Sequence, residues 1–170
     1  PLATLSAFRM LRRGRLVAGE SVLIVGIGGG VSMAALGLAR SMGAVVYGTS
    51  RDAATRARAV GAGAEAVFDS EEDWPVRCPV VVESVGPATW DRSIRALTPG
   101  GRVVVCGGTS GPVVEVNLPR LFFKQHEIIG STMGGYGEFD QVTTLFGRGL
   151  PVAVDREFAI GEYPAALAHL

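Results

Sequence analysis

Chemistry in this chain begins at Val25. The run Val25-Gly26-Ile27-Gly28-Gly29-Gly30-Val31-Ser32 follows an apolar, strand-like stretch and opens a helical pattern. A turn stripped of side chains lets backbone N–H groups approach an anion closely, and a helix starting there adds unpaired donors and a positive dipole end. Strand, glycine turn and helix in this order are what a dinucleotide diphosphate requires. A strict G-x-G-x-x-G register from Gly26 puts Val31 where the third glycine belongs. The longer spacing Gly26-x-x-Gly29-x-x-Ser32 fits better, with Ser32 small enough for close helix–strand packing. The alternative is a tight turn with no ligand.

The second apolar strand ends Tyr47-Gly48-Thr49-Ser50-Arg51. At this place NAD-binding folds put an acid that receives the ribose 2′-hydroxyl. Ser50 occupies it here and Arg51 follows. A carboxylate would repel a 2′-phosphate, whereas a hydroxyl and a guanidinium would bind it. The expectation is NADP(H) in preference to NAD(H), with a solvated loop arginine as the alternative. Asp52 reads as the N-cap of the next helix.

The elements that would carry these residues alternate. Short β-branched runs and helical patterns succeed one another, which is the mark of βαβ units and a parallel sheet. Helices are expected at 2–13, 31–42, 52–60, 88–97, 139–146 and 162–170. Strands are expected at 21–25, 44–48, 66–68, 80–83, 102–106 and 127–130. Thr98-Pro99-Gly100-Gly101 is a turn signal, and 107–119 reads as a Gly/Pro-rich loop. The expected fold is α/β: residues 1–170 as one Rossmann-type, doubly wound domain, six parallel strands in the order 3-2-1-4-5-6, with helices on both faces.

Composition narrows the function. The chain has 170 residues, 48% hydrophobic and 19% charged, in the range of soluble globular domains. Sixteen basic and sixteen acidic side chains cancel, and no basic block or aromatic-basic stripe points to nucleic acid. Apolar runs are too short to span a bilayer, and no signal peptide is recognisable. Cys78 and Cys106 read as small buried hydrophobes in a reducing, cytoplasmic setting. His126 and His169 read as structural, and with the two cysteines they make no zinc spacing. The start at Pro1 and the end at Leu170, inside a helical pattern, suggest a piece of a longer polypeptide.

Several stretches together resemble the medium-chain dehydrogenase/reductase superfamily, its quinone-oxidoreductase and zinc-type alcohol-dehydrogenase branches in particular. They include Leu5-Ser6-Ala7-Phe8-Arg9-Met10-Leu11, Gly61-Ala62-Gly63-Ala64 and Val81-Val82-Glu83-Ser84-Val85-Gly86, where Glu83 replaces the common Asp. Leu97-Thr98-Pro99-Gly100-Gly101-Arg102 and Gly107-Gly108-Thr109-Ser110-Gly111 match a fifth strand and its loop. Leu121-Phe122-Phe123-Lys124-Gln125 and Ile129-Gly130-Ser131-Thr132-Met133 match the sixth-strand region.

The resemblance implies that Gly28, Gly29, Gly30 and Val31 hold the diphosphate. It places Val85 and Gly86 near the nicotinamide ribose, and Gly107, Gly108 and Thr109 beside the nicotinamide. Backbone groups of Ser131, Thr132 and Met133 would fix the carboxamide. A lysine that many relatives carry near Ala53 is absent. The resemblance also implies a separate substrate domain, missing from this chain, which would bring the small-molecule substrate and most zinc ligands. Zinc dependence is therefore not decided by this chain, and no catalytic residue is named in it. A homodimer joined through the sixth-strand edge is expected. The rival from another class is a non-catalytic NAD(P)-binding module that senses redox state.

Overall fold

The computed structural model describes residues 2–152, 154 and 156–169. Six parallel strands form one sheet: β1 (Ser21–Ile24), β2 (Val45–Thr49), β3 (Ala66–Phe68), β4 (Cys78–Glu83), β5 (Leu97–Val105) and β6 (Glu127–Gly130). Their order is β3-β2-β1-β4-β5-β6, as expected. The helices are α1 (Leu2–Arg13), α2 (Gly30–Ser41), α3 (Ala53–Gly61), α4 (Trp90–Arg95), α5 (Leu118–Phe123), α6 (Tyr136–Gly147) and α7 (Tyr163–Ala168).

The central strands read as continuous apolar runs because both faces are covered. Successive side chains alternate between faces. Val22 and Ile24 of β1 enter one core with Met10, Leu11, Leu36 and Ala39 of α1 and α2. Leu23 and Val25 enter the other, beside Trp74, Trp90 and Val103. The indole N–H groups of Trp74 and Trp90 donate to the carbonyls of Asp69 at 3.0 Å and Glu115 at 2.9 Å. Both bulky rings are thereby buried with their polar atoms satisfied.

Three expectations need correction. Thr98-Pro99-Gly100-Gly101 is not a turn between elements but a bulge inside β5. Cys78 pairs with Leu97 and Val80 with Arg102, so β4 advances two residues while β5 advances five. Gly100, at φ 72°, turns its amide to the Lys124 carbonyl at 2.8 Å. The helix expected at 88–97 is confined to Trp90–Arg95, because Leu97 already pairs in the sheet. The loop expected at 107–119 gives way to α5, whose first turn Asn117 caps by accepting the Arg120 amide at 2.9 Å. Pro119 sits in that first turn, where a missing N–H costs nothing.

Strand β6 is an edge of the sheet, and Ile128 on it is 41% exposed. Among the described residues no helix is long and apolar enough to cross a membrane. Leu170, the last residue of the expected terminal helix, lies outside the described residues.

Candidate functional site

The site is built where β1 hands over to α2. The Val25 amide still bonds across the sheet to the Val82 carbonyl at 3.0 Å. Gly26 then turns at φ 72°, and its amide donates to the Thr49 hydroxyl at 3.2 Å. The next amide, of Ile27, donates to the Thr49 carbonyl at 2.7 Å. The turn is thus pinned to the end of β2. Gly26 and Gly28, at φ 140°, both need glycine: a Cβ would lie 2.8 Å from Val85 Cγ2 at the first and 2.7 Å from Thr55 Cγ2 at the second.

Ser32 does more than pack closely. Its hydroxyl accepts the Gly28 amide at 3.0 Å and donates to the Gly29 carbonyl at 2.9 Å. The first backbone bond of α2 runs from Met33 to Gly29 at 2.9 Å. The amides of Gly30 and Val31 therefore precede the first available carbonyl and stand as unpaired helix-start donors. A Cβ on Gly29 would meet only the Ser32 hydroxyl, at 4.0 Å. The space in front of the helix start is open, and a negative charge there would face the favourable end of the dipole.

From this turn a cleft of about 1050 Å³ opens over the C-terminal ends of the strands. It brings together five of the expected residues: Gly26, Ser50, Arg51, Val85 and Thr109. Gly86, Gly107 and Gly108 instead line a neighbouring apolar groove of about 360 Å³. The two loops touch there, since a Cβ on Gly86, at φ 94°, would lie 2.9 Å from the Gly111 carbonyl. Gly28, Gly29, Gly30 and Val31 sit on the turn and line neither space. Ser131, Thr132 and Met133 follow β6 and also line neither. The Ser131 amide bonds to the Val105 carbonyl at 2.8 Å, its hydroxyl is buried with no hydrogen-bond partner among the described residues, and Met133 holds φ 39°.

Ser50 and Arg51 differ in reach. Ser50 is only 9% exposed and its hydroxyl accepts the Asp52 amide at 3.3 Å. Arg51 is exposed. The carboxylate of Asp52 caps α3 by accepting the Thr55 amide at 2.7 Å. Hydrogen bonds from Thr55 hold its pKa below the usual value. The nearest acid to the Ser50 position is therefore engaged with the helix behind it.

Two residues organise the walls: Glu83, noted in the sequence only as standing where an Asp is common, and Arg92, which the sequence did not single out. Glu83, fully buried, accepts the amides of Val85 at 2.6 Å and Gly86 at 3.1 Å, and the hydroxyls of Thr89 at 3.0 Å and Ser93. Arg92 spans the outer wall, donating to the carbonyls of Glu71 at 2.9 Å and Ala88 at 3.3 Å. The cysteines are free; burial raises the pKa of both, with Glu83 adding to the effect on Cys106. His126 is buried, and the His169 ring packs against Phe158 at 5.7 Å. No group of three His, Cys, Asp or Glu able to hold a metal occurs among the described residues.

A family profile described as zinc-binding dehydrogenase matches residues 30–148. Quinone oxidoreductase of Pseudomonas aeruginosa is 34% identical, with 89% of this chain and 52% of that protein aligned. Acryloyl-coenzyme A reductase of Metallosphaera sedula is 40% identical over 76% of this chain and 40% of its own length. A thermostable alcohol dehydrogenase from Pyrobaculum aerophilum superposes with a TM-score of 0.85 at 32% identity, covering 99% of this chain and 52% of that one. The chain spans about half the length of the curated relatives it matches. From the strand order, the glycine turn at the head of the cleft and the profile match over most of its length, the chain belongs to the zinc-binding dehydrogenase family of the medium-chain dehydrogenase/reductase superfamily.

Proposed function

We propose that this chain is the nicotinamide-dinucleotide-binding domain of an oxidoreductase that moves a hydride between NADP(H) and a small carbonyl, alcohol, quinone or enone. The observation that carries the reading is the continuity of the Gly26 turn with a cleft reaching Ser50 and Arg51 on one side and Val85 and Thr109 on the other. The diphosphate belongs against the helix start, where Gly30 and Val31 offer amides and Gly29 leaves room. Arg51 with Ser50 makes the 2′-phosphate end, and the Val85-Gly86 turn lies toward the nicotinamide ribose. Ser131, Thr132 and Met133, at the end of β6, fit the carboxamide, as the family resemblance implies. When bound, the cofactor supplies or accepts hydride at C4 of its nicotinamide; this domain's part is to bind, orient and exclude water. The quinone oxidoreductase, acryloyl-coenzyme A reductase and alcohol dehydrogenase among its relatives favour the substrate classes above.

The substrate domain of the same polypeptide, the small-molecule substrate and a homodimer complete the proposal. The dimer would form through β6, whose edge exposes Ile128 and needs covering. Ile128→Lys should then lower the mass seen in light scattering from dimer to monomer. Two unpaired cysteines suit a reducing, cytoplasmic setting.

The decisive experiment is calorimetric titration with NADPH. Gly29→Asp puts a carboxylate in front of the helix start and should abolish binding while leaving the melting temperature within a few degrees. Unchanged affinity in that variant would sink the assignment.

A further inference from the structure

We propose that Glu83 is a positioning residue for the nicotinamide half of the site, acting by holding the Val85-Gly86 turn in the shape the dinucleotide needs. The proposal rests on the reading above that the cleft takes such a cofactor. Glu83 closes β4 with none of its surface exposed. No ion pair with it occurs among the described residues. A buried carboxyl without a cation is a costly choice for a core position, which an apolar side chain fills at no such cost. Here both oxygens are fully used.

The donors divide by direction. One oxygen takes the amides of Val85 and Gly86 at 2.6 and 3.1 Å. The other takes the hydroxyls of Thr89, at 3.0 Å, and Ser93. Val85 and Thr89 both line the cleft, and Ser93 lies behind them in the first turns of α4. The carboxylate thus ties the end of β4, the turn and the start of α4 to one point under the cleft wall. The turn has no slack on its other side, since Gly86 packs against the loop after β5 and the Ser110 amide and hydroxyl both bond to the Val85 carbonyl at 2.7 Å. Without the carboxylate the Val85 and Gly86 amides would be buried donors lacking an acceptor, and the turn would have to move to find one.

The effect should be local to one half of the cofactor. Ser50, Arg51 and the glycine turn are held by β2, α2 and α3 and make no hydrogen bond to Glu83. ADP, the half common to both nicotinamide cofactors, should therefore bind independently of it.

The test uses calorimetry on Glu83→Met, which keeps the length and loses the acceptors, and on Glu83→Gln. In the amide variant the carbonyl can still serve the two backbone amides, while the Thr89 and Ser93 hydroxyls rotate to accept. Glu83→Met should weaken the more tightly held of NADPH and NADH, its counterpart without the 2′-phosphate, at least tenfold, and change ADP affinity less than twofold. It should also alter the emission of the bound reduced nicotinamide. Glu83→Gln should recover most of the lost affinity. Equal weakening of ADP and dinucleotide, no weakening of either, or a Gln variant as impaired as Met would overturn the proposal. If Glu83→Met does not fold, Ser93→Ala decides: a selective loss of at least threefold for the dinucleotide supports it, and no loss overturns it. Wild-type protein that binds ADP but neither dinucleotide would instead overturn the function proposed above.

Discussion

The guanidinium of Arg56 lies 2.8 Å from the carboxylate of Asp69, joining α3 to the loop after β3. The same nitrogen donates to the carbonyls of Ser50 at 2.8 Å and Arg51 at 2.9 Å. A cation on α3 is thus spent on the backbone at the Ser50-Arg51 end of the cleft rather than facing outward. It fixes the loop that presents Arg51.

Arg56→Met should therefore act twice. Both partners are about a quarter exposed, so the loss of stability should be modest, about 1 kcal/mol, or roughly 2–4 °C in melting temperature. The preference for NADPH over NADH should fall at least threefold, because the Arg51 backbone is no longer held. A variant that melts lower with an unchanged cofactor ratio would confine Arg56 to a structural role.

Two glycines in the same stretch should respond in opposite directions to alanine. Gly28 sits at φ 140° with Thr55 Cγ2 at 2.7 Å from any added Cβ, so Gly28→Ala must strain the turn and should cost about 1–3 kcal/mol. Gly37 lies inside α2 with nothing within 4 Å of an added Cβ. Gly37→Ala should stabilise the domain by about 0.5–1 kcal/mol. Thermal melts of the pair check this, and a destabilised Gly37→Ala would contradict it.

Much of this was legible in the amino-acid sequence because the signals are local. Doubly buried strands write themselves as apolar runs, and the glycine turn shows its spacing within eight residues. Glu83 was not legible as a hub, since its donors lie two, three, six and ten residues on and converge only when β4 and α4 have packed. Asn117 and Pro119 carry good helix-start chemistry, but a Gly/Pro-rich stretch before them masked it. Thr98 to Gly101 have the right residues for a turn, yet the strand resumes its pairing with β4 on the far side. Ser50 reads as a phosphate ligand by position, whereas its burial and its bond to the Asp52 amide arise only once β2 and α3 have packed.

Stability should fall with pH in two windows. Burial lowers the pKa of His126, with Arg120 and Lys124 adding to it and the Thr98 backbone opposing. A histidine lowered on folding binds its proton more readily when unfolded, so its contribution is present above about 6.5 and lost as pH falls through the folded value. Glu138 is lowered chiefly by the Gly135 amide it accepts, with Arg9 contributing, and Asp52 by Thr55. Those carboxylates act only below about 4.5. Melting temperatures should thus decline first as pH falls below about 6.5 and again below about 4.5. His126→Phe should flatten the upper slope and leave the lower one; a wild-type melting temperature constant from pH 7.5 to 5 would contradict the first part.

Cofactor choice should follow Arg51. Its guanidinium is exposed at the cleft, the Ser50 hydroxyl is nearly buried and already accepts the Asp52 amide, and the Asp52 carboxylate is turned to Thr55. The residue that directly follows β2 is thus a serine, and the Asp52 carboxylate beside it is engaged with α3. A charge-assisted contact to an ion is worth about 1.5–3 kcal/mol, and 1.4 kcal/mol is one decade of affinity. Solvent exposure takes the lower end of that range, so NADPH should bind on the order of tenfold more tightly than NADH. Arg51→Ala should remove most of this preference with NADH affinity nearly unchanged, and added salt should shrink it in the wild type but not in the variant. Ser50→Asp should reverse the preference, by repelling the phosphate and offering an acceptor to the 2′-hydroxyl. Equal binding of NADH and NADPH by the wild type at low salt would return Arg51 to a solvated loop residue and leave the diphosphate site at Gly29 untouched.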